Sequence, residues 1–74
     1  MKLFKLTKTI VPEWGQSTVE LEVYMIADDL EKIKVYIKDA YSIWLDDNLC
    51  VEHWDEYERS SCVYKLTEKE VVSL

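Results

Sequence analysis

Residues 19–45 read VELEVYMIADDLEKIKVYIKDAYSIWL, and the change of period inside them decides the fold. Val19, Leu21, Val23 and Met25 alternate with Glu20, Glu22, Tyr24 and Ile26. A period of two in residues that suit a pleated surface predicts a strand. From Asp28 the apolar spacing becomes three and four, through Leu30, Ile33, Ile37, Ala40 or Tyr41, and Trp44. These positions make one narrow stripe along a helix, with Glu31, Lys32, Lys34, Lys38 and Asp39 largely on the other side. Asp28 is placed to accept from the orphan donors of the first turn, with Glu31 three residues on in capping-box spacing. Asp28 and Asp29 also set negative charge at the positive end of the helix dipole. Asp46, Asp47 and Asn48 are expected to end the helix.

Working outward, residues 3–11 predict a first strand, with Phe4, Leu6 and Ile10 on one face and Lys5, Thr7 and Thr9 on the other. Lys8 falls on the apolar side, which predicts an edge position or a bulge, since inward charge is one way edges are protected. Pro12-Glu13-Trp14-Gly15-Gln16-Ser17 is a turn that returns the chain antiparallel, because Pro lacks a donor and Gly accepts positive φ. After Asn48 the period returns towards two. Leu49, Val51, His53, Asp55 and Tyr57 share one face, and Cys50, Glu52, Trp54, Glu56 and Glu58 share the other. A bulge between Val51 and Trp54 would put both on the core side. Glu58-Arg59-Ser60-Ser61 reads as a polar turn, after which Cys62, Tyr64 and Leu66 alternate with Val63 and Lys65 as a fourth strand. Residues 67–74 admit two readings: Thr67 and Glu70 have capping-box spacing, whereas Val71-Val72-Ser73-Leu74 favours extended structure. The expected fold is α+β, ββαββ, a four-stranded mainly antiparallel sheet with one helix packed on one face, in a single domain over residues 1–74.

With 74 residues the chain is near the lower limit for a single core, and at 49% hydrophobic with one Gly and one Pro it is globular. No apolar run approaches the roughly 18 residues that span a membrane, and the N-terminus has no signal-peptide core, so a cytoplasmic location is expected. Two cysteines are too few for a disulfide scaffold and should remain thiols. The net charge of −6 is unevenly placed. Lys2, Lys5 and Lys8 make the start of the chain basic, whereas Asp46, Asp47, Glu52, Asp55, Glu56 and Glu58 follow one another with no intervening Lys or Arg. That balance argues against direct nucleic-acid binding, and its plainest meaning is a solvated acidic face.

Chemistry-bearing residues are few. Cys50, His53 and Cys62, with Asp55 or Glu56, come nearest to a zinc set, but residues 50 and 53 of a strand point to opposite faces. A hairpin turning at Ser60 would pair Tyr57 with Cys62 and set Cys50 opposite Lys69, too far for a disulfide. Cysteine–histidine catalysis needs a base held on the thiolate and a third orienting group, and a chain with one Gly has no phosphate loop. A non-enzymatic protein without metal or cofactor is expected.

The stretch YMIADDLEKI, a strand ending in hydrophobic–Ala–Asp–Asp–x–Glu and entering a short helix, resembles small proteins of bacteriophages and mobile elements. So does the acidic, Gly-poor style of the whole chain. The resemblance covers about the middle third and carries no functional residue over. It implies a mode of action, binding and blocking a host factor such as a nuclease, a restriction system or defence signalling, in the host cytoplasm.

One helix covers one sheet face only, so with three Trp and five Tyr some aromatics should be exposed unless a second copy or a partner covers them. A homodimer or higher homo-oligomer, or a protein-binding sheet, is expected. Its working patch would be Tyr24 and Ile26, joined by Trp54 if no bulge intervenes, with Glu20, Glu22, Glu52 and Glu56 at the rim. Three functional readings follow. The first is an inhibitor or adaptor that docks on a protein. The second is a nucleic-acid mimic, in which Glu20, Glu22, Glu52, Asp55, Glu56 and Glu58 imitate phosphates, alternate strand residues being ~6.8 Å apart. The third is an oligomeric sponge for a small nucleotide signal, with Trp14, Trp54 and Tyr24 stacking on bases and Lys2, Lys5 or Lys8 meeting phosphates.

Overall fold

The computed structural model describes residues 1–72; Ser73 and Leu74 lie outside the described residues. Its elements are β1 (Lys2–Pro12), β2 (Thr18–Ala27), α1 (Leu30–Tyr41), β3 (Cys50–Asp55) and β4 (Ser60–Lys69). The four strands form one antiparallel open sheet in the order β2-β1-β4-β3, with the helix on one face, as the alternation of periods predicts. Two hairpins are therefore joined by pairing of the first strand with the last. This makes β1 an inner strand and corrects the edge position expected from Lys8. The register does slip beside Lys8, but the extra residue is on the neighbour: Lys8 faces Leu21 and Thr9 faces Val19, leaving Glu20 without a partner.

Phe4, Leu6 and Leu66 from the sheet, Ile33 and Ile37 from the helix, and Ile43 beyond it form the buried core. Leu6 and Ile37 are wholly inaccessible. The helix thus sits over the half of the sheet that holds Phe4 and Leu6. Ile10 and Cys62, further along the same face, take no part in the core, so the sheet runs on past its helix. The molecule measures 44 × 26 × 19 Å. Among the described residues no helix is long and apolar enough to cross a membrane.

Both helix ends differ from expectation. The N-cap is Asp29, one residue later than Asp28; its carboxylate accepts from the Lys32 N–H at 2.9 Å. Asp28 instead stands 3.6 Å from Lys32 Nζ, a pair one turn apart on the helix surface. The helix stops at Tyr41, well before Asp46, because Ser42 takes a left-handed φ of 58° and donates its N–H to the Lys38 carbonyl. That reversal removes Trp44 from the apolar stripe. It is 64% exposed, with Lys38 Nζ 5.7 Å from its ring centre, and Ile43 is buried in its place.

The second hairpin also corrects the reading. Its turn occupies residues 56–59, not 58–61, because the Asp55 carboxylate accepts from the N–H groups of Tyr57 and Glu58. Arg59, at φ 51°, closes it. His53 consequently faces Cys62 and Cys50 faces Lys65, in place of the Tyr57–Cys62 and Cys50–Lys69 pairs. The ladder has no bulge between Val51 and Trp54, so the two lie on opposite faces. Strand β4 continues to Lys69, which makes residues 67–69 extended, and residues 70–72 have no regular structure.

Candidate functional site

Combining the registers gives the helix-free face row by row. Trp54, Ser61 and Val11 form a row at the end where the two hairpins turn. Next come Glu52, Val63, Thr9 and Val19, then Cys50, Lys65, Thr7 and Glu22. Thr67, Lys5 and Tyr24 follow, and the last row is Lys69, Leu3 and Ile26. Tyr24, Ile26 and Trp54 therefore share a face, as expected, with Tyr24 56%, Ile26 65% and Trp54 52% exposed. They do not share a patch. Six residues along β1 and three strand spacings across separate Tyr24 from Trp54, about 25 Å on the diagonal. A polar belt of Lys5, Glu22, Thr7 and Lys65 lies between. The single patch expected around these three residues is divided in two, Trp54 standing apart from Tyr24 and Ile26.

The first site is the hairpin end. Val11 and Trp54 flank Ser61, whose burial follows from having a large neighbour on each side. Trp14, in the β1–β2 turn, and Tyr57, in the β3–β4 turn, are almost wholly exposed at this end. The two turns are fastened together: the Glu13 N–H donates to the Arg59 carbonyl at 2.8 Å. The Arg59 guanidinium also grips the Glu13 carboxylate with Nε and Nη2, the latter 3.0 Å from Oε1, which raises the Arg59 pKa above its ordinary value. Around the aromatics stand Glu52, Asp55, Glu56 and Glu58, all exposed, none with an ion-pair partner among the described residues. Glu56 belongs to this rim and not to that of Tyr24.

The basic start of the chain is spent on pairing. Lys5 Nζ is 2.8 Å from Glu22 Oε1, Lys8 Nζ is 3.6 Å from Glu20 Oε2, and Lys2 Nζ is 3.9 Å from Glu68 Oε1. The Tyr24 hydroxyl donates to the same Glu22 oxygen at 3.0 Å, and Lys5 Nζ lies 5.8 Å from the Tyr24 ring centre. The hydrogen bond from Lys5, then that from Tyr24, holds the Glu22 carboxyl below the usual carboxylate range. Lys5 is raised in turn, chiefly by the bond to Glu22, with desolvation opposing it. Partial burial works against the charge of Lys8, but Tyr64 and Glu20 outweigh it and its pKa is raised.

The thiols and the imidazole are not assembled into one site. His53 and Cys62 are cross-strand neighbours on the helix side, whereas Cys50 points to the open face. Among the described residues no three potential metal ligands converge. Comparison with protein-family models, curated proteins and solved structures finds no match to this chain.

Sequence reasoning missed Val11, Val19 and Tyr57 as parts of an exposed apolar end. Asp55 carried the usable signal: a side chain that bonds the backbone two residues on marks where a turn starts. Placing that turn at residues 56–59 brings Trp54 and Tyr57 to the tip beside Trp14. A second, mainly apolar feature is an open groove of about 510 Å³, lined by Met1, Met25, Ile26, Ala27, Ile33 and Tyr36 together with the paired Asp28 and Lys32.

Proposed function

We propose that this is a non-enzymatic binding protein whose hairpin end docks into an apolar, basic-rimmed cleft of a partner protein. One observation carries the reading: exposed Trp14, Trp54 and Tyr57 are gathered at one end and surrounded by four carboxylates that nothing in the described chain neutralises. Aromatic anchors within a charged rim are the make-up of an interface, and unpaired surface charge raises the rate of encounter with a basic partner. The end is also braced, since Glu13 and Arg59 hold the two turns together, and a pre-ordered surface loses less entropy on binding. Blocking a host factor, the mode of action implied by the resemblance to phage accessory proteins, is the use we assign to such an end.

The other readings draw less support. Lys2, Lys5 and Lys8 each face a carboxylate already, which leaves a nucleotide phosphate in competition with Glu68, Glu22 and Glu20. The same pairing cancels Glu20 and Glu22 as phosphate mimics and leaves, of the six proposed mimics, only Glu52, Asp55, Glu56 and Glu58 uncompensated, all at the hairpin end.

The test is capture from bacterial lysate on immobilised protein at low and high salt, with wild type beside Trp14→Ser/Trp54→Ser. The expected result is a protein bound by wild type, bound less at high salt, and lost with the double variant while circular dichroism is unchanged. An identical bound set for both proteins, or a co-purifying nucleotide in place of a protein, would overturn the reading.

A further inference from the structure

We propose that β2 is a dimerisation edge, along which a second copy of this chain pairs antiparallel about a two-fold axis at Tyr24 to continue the sheet from four strands to eight. Four features of the edge lead there.

The first is its open backbone. β2 is outermost, ten residues long, and no backbone or side-chain hydrogen bond within the described chain reaches its outer side. Edge strands are normally kept short or broken by Lys or Pro. The opposite edge, β3, fits that description, with six residues and exposed Glu52, His53 and Asp55. Residues 21–27 of β2, LEVYMIA, contain no Pro, Gly or Lys.

The second feature is apolar surface on both sides of this one edge. Tyr24 and Ile26 are exposed on the open face, and the groove continues from Ile26 past Met25 and Ala27 to Ile33 and Tyr36 of the helix. A strand added here would cover both, because faces are preserved in a continued sheet.

Charge is the third. The molecule carries −6, which would oppose self-association, but this edge is locally neutral. Glu22 is the one charged side chain within residues 21–27 and is paired with Lys5; Glu20 beside it is paired with Lys8. None of the carboxylates that lack an ion-pair partner among the described residues belongs to residues 21–27. A neutral apolar edge on an acidic molecule fits another copy of itself better than it fits a basic partner.

The fourth is register. The irregularity at Glu20 leaves residues 21–27 as the regular stretch, and its midpoint is Tyr24. Pairing about Tyr24 uses all of it: Leu21 against Ala27, Glu22 against Ile26, Val23 against Met25, and Tyr24 against itself. An axis at Glu22 would set that carboxylate against its copy, which is destabilising. An axis at Val23 would draw the bulged Glu20 into the ladder. The Tyr24 register keeps like charges apart and places an aromatic pair on the axis, in the self-complementary manner a two-fold interface requires. Both helices then lie on one face of the joined sheet, and the two hairpin ends point in opposite directions. The dimer is a bivalent form of the binder, although the pairing does not depend on what those ends bind.

The experiment is light scattering and sedimentation of wild type, Tyr24→Glu, Tyr24→Lys and an equal mixture of the two variants, with circular dichroism on each sample. Wild type is expected at twice the 8.8 kDa monomer mass. Each variant alone should fall to monomer mass with its fold intact, since Tyr24 is more than half exposed, and the mixture should regain the dimer. Trp54→Ser, at the far corner of the sheet, should remain dimeric even if it loses a protein partner. Wild type that stays monomeric at millimolar concentration overturns the proposal, as does Tyr24→Glu that stays dimeric. A mixture that stays monomeric overturns the Tyr24 axis. Hydrogen exchange on wild type gives a readout free of substitutions: alternate amides of residues 21–27 should slow as concentration rises, and unchanged rates count against the edge.

Discussion

Glu13 and Arg59, 46 residues apart in sequence, fasten the β1–β2 turn to the β3–β4 turn through both backbone and side chain. Their ion pair is at the surface, where such pairs add little to global stability and weaken with salt. Its consequence is local: it decides how firmly Trp14 and Tyr57 are held at the same end. Arg59→Gly is the clean deletion, because glycine accepts the φ of 51° without strain. The denaturant midpoint should hardly move, whereas the Glu13 amide should exchange faster while the Leu6 amide keeps its protection. Unchanged exchange at Glu13 would mean that the backbone bond alone braces the tip.

The helix start separates two adjacent aspartates. Asp29 satisfies an orphan donor of the first turn, and losing such a cap costs about 1 kcal/mol. Asp28 makes only an exposed pair with Lys32, worth about 0.3–0.5 kcal/mol. Urea denaturation of Asp29→Ala and Asp28→Ala should rank them in that order. Equal losses would show the cap shared between the two residues.

What the sequence disclosed and withheld follows from the reach of each signal. The switch from period two to period three and four near Asp28 is a local record of burial, so the strand, the helix and the ββαββ order were legible. The helix end was not, because Ile43, Trp44 and Leu45 are all apolar and any of them can continue a stripe. A left-handed Ser42, which no periodicity reports, settles it. The second hairpin was misplaced because both faces of residues 49–58 mix apolar and charged side chains, so alternation could not fix the register. The candidate patch failed for a different reason. Alternation shows which face a residue occupies but not which row, and the row depends on the β1–β4 pairing between the chain's two ends. The bulge was signalled only indirectly, by Lys8 on the apolar side of β1, while the extra residue itself is Glu20 of β2.

The Lys5–Glu22 pair sets how stability should respond to pH. Glu22 is held below the usual carboxylate range by Lys5 and then Tyr24. A lowered folded pKa means its contribution is complete above the unfolded carboxyl value and is lost as pH falls through the folded one. Lys5 is raised, chiefly by Glu22, so its contribution is complete below the unfolded lysine value and is lost as pH rises through the folded one. The pair should thus leave stability flat across neutral pH and erode it at the two extremes. Lys5→Met removes the larger cause of the Glu22 shift and keeps an apolar stem over the sheet. Carbon-detected titration of the Glu22 carboxyl should then show its midpoint moving up towards the ordinary value, with the acid limb of the stability profile flattened. The remaining hydrogen bond from Tyr24 should keep part of the shift. A midpoint equal to wild type would assign the whole effect to Tyr24 and leave the 2.8 Å contact of Lys5 without influence on this carboxylate.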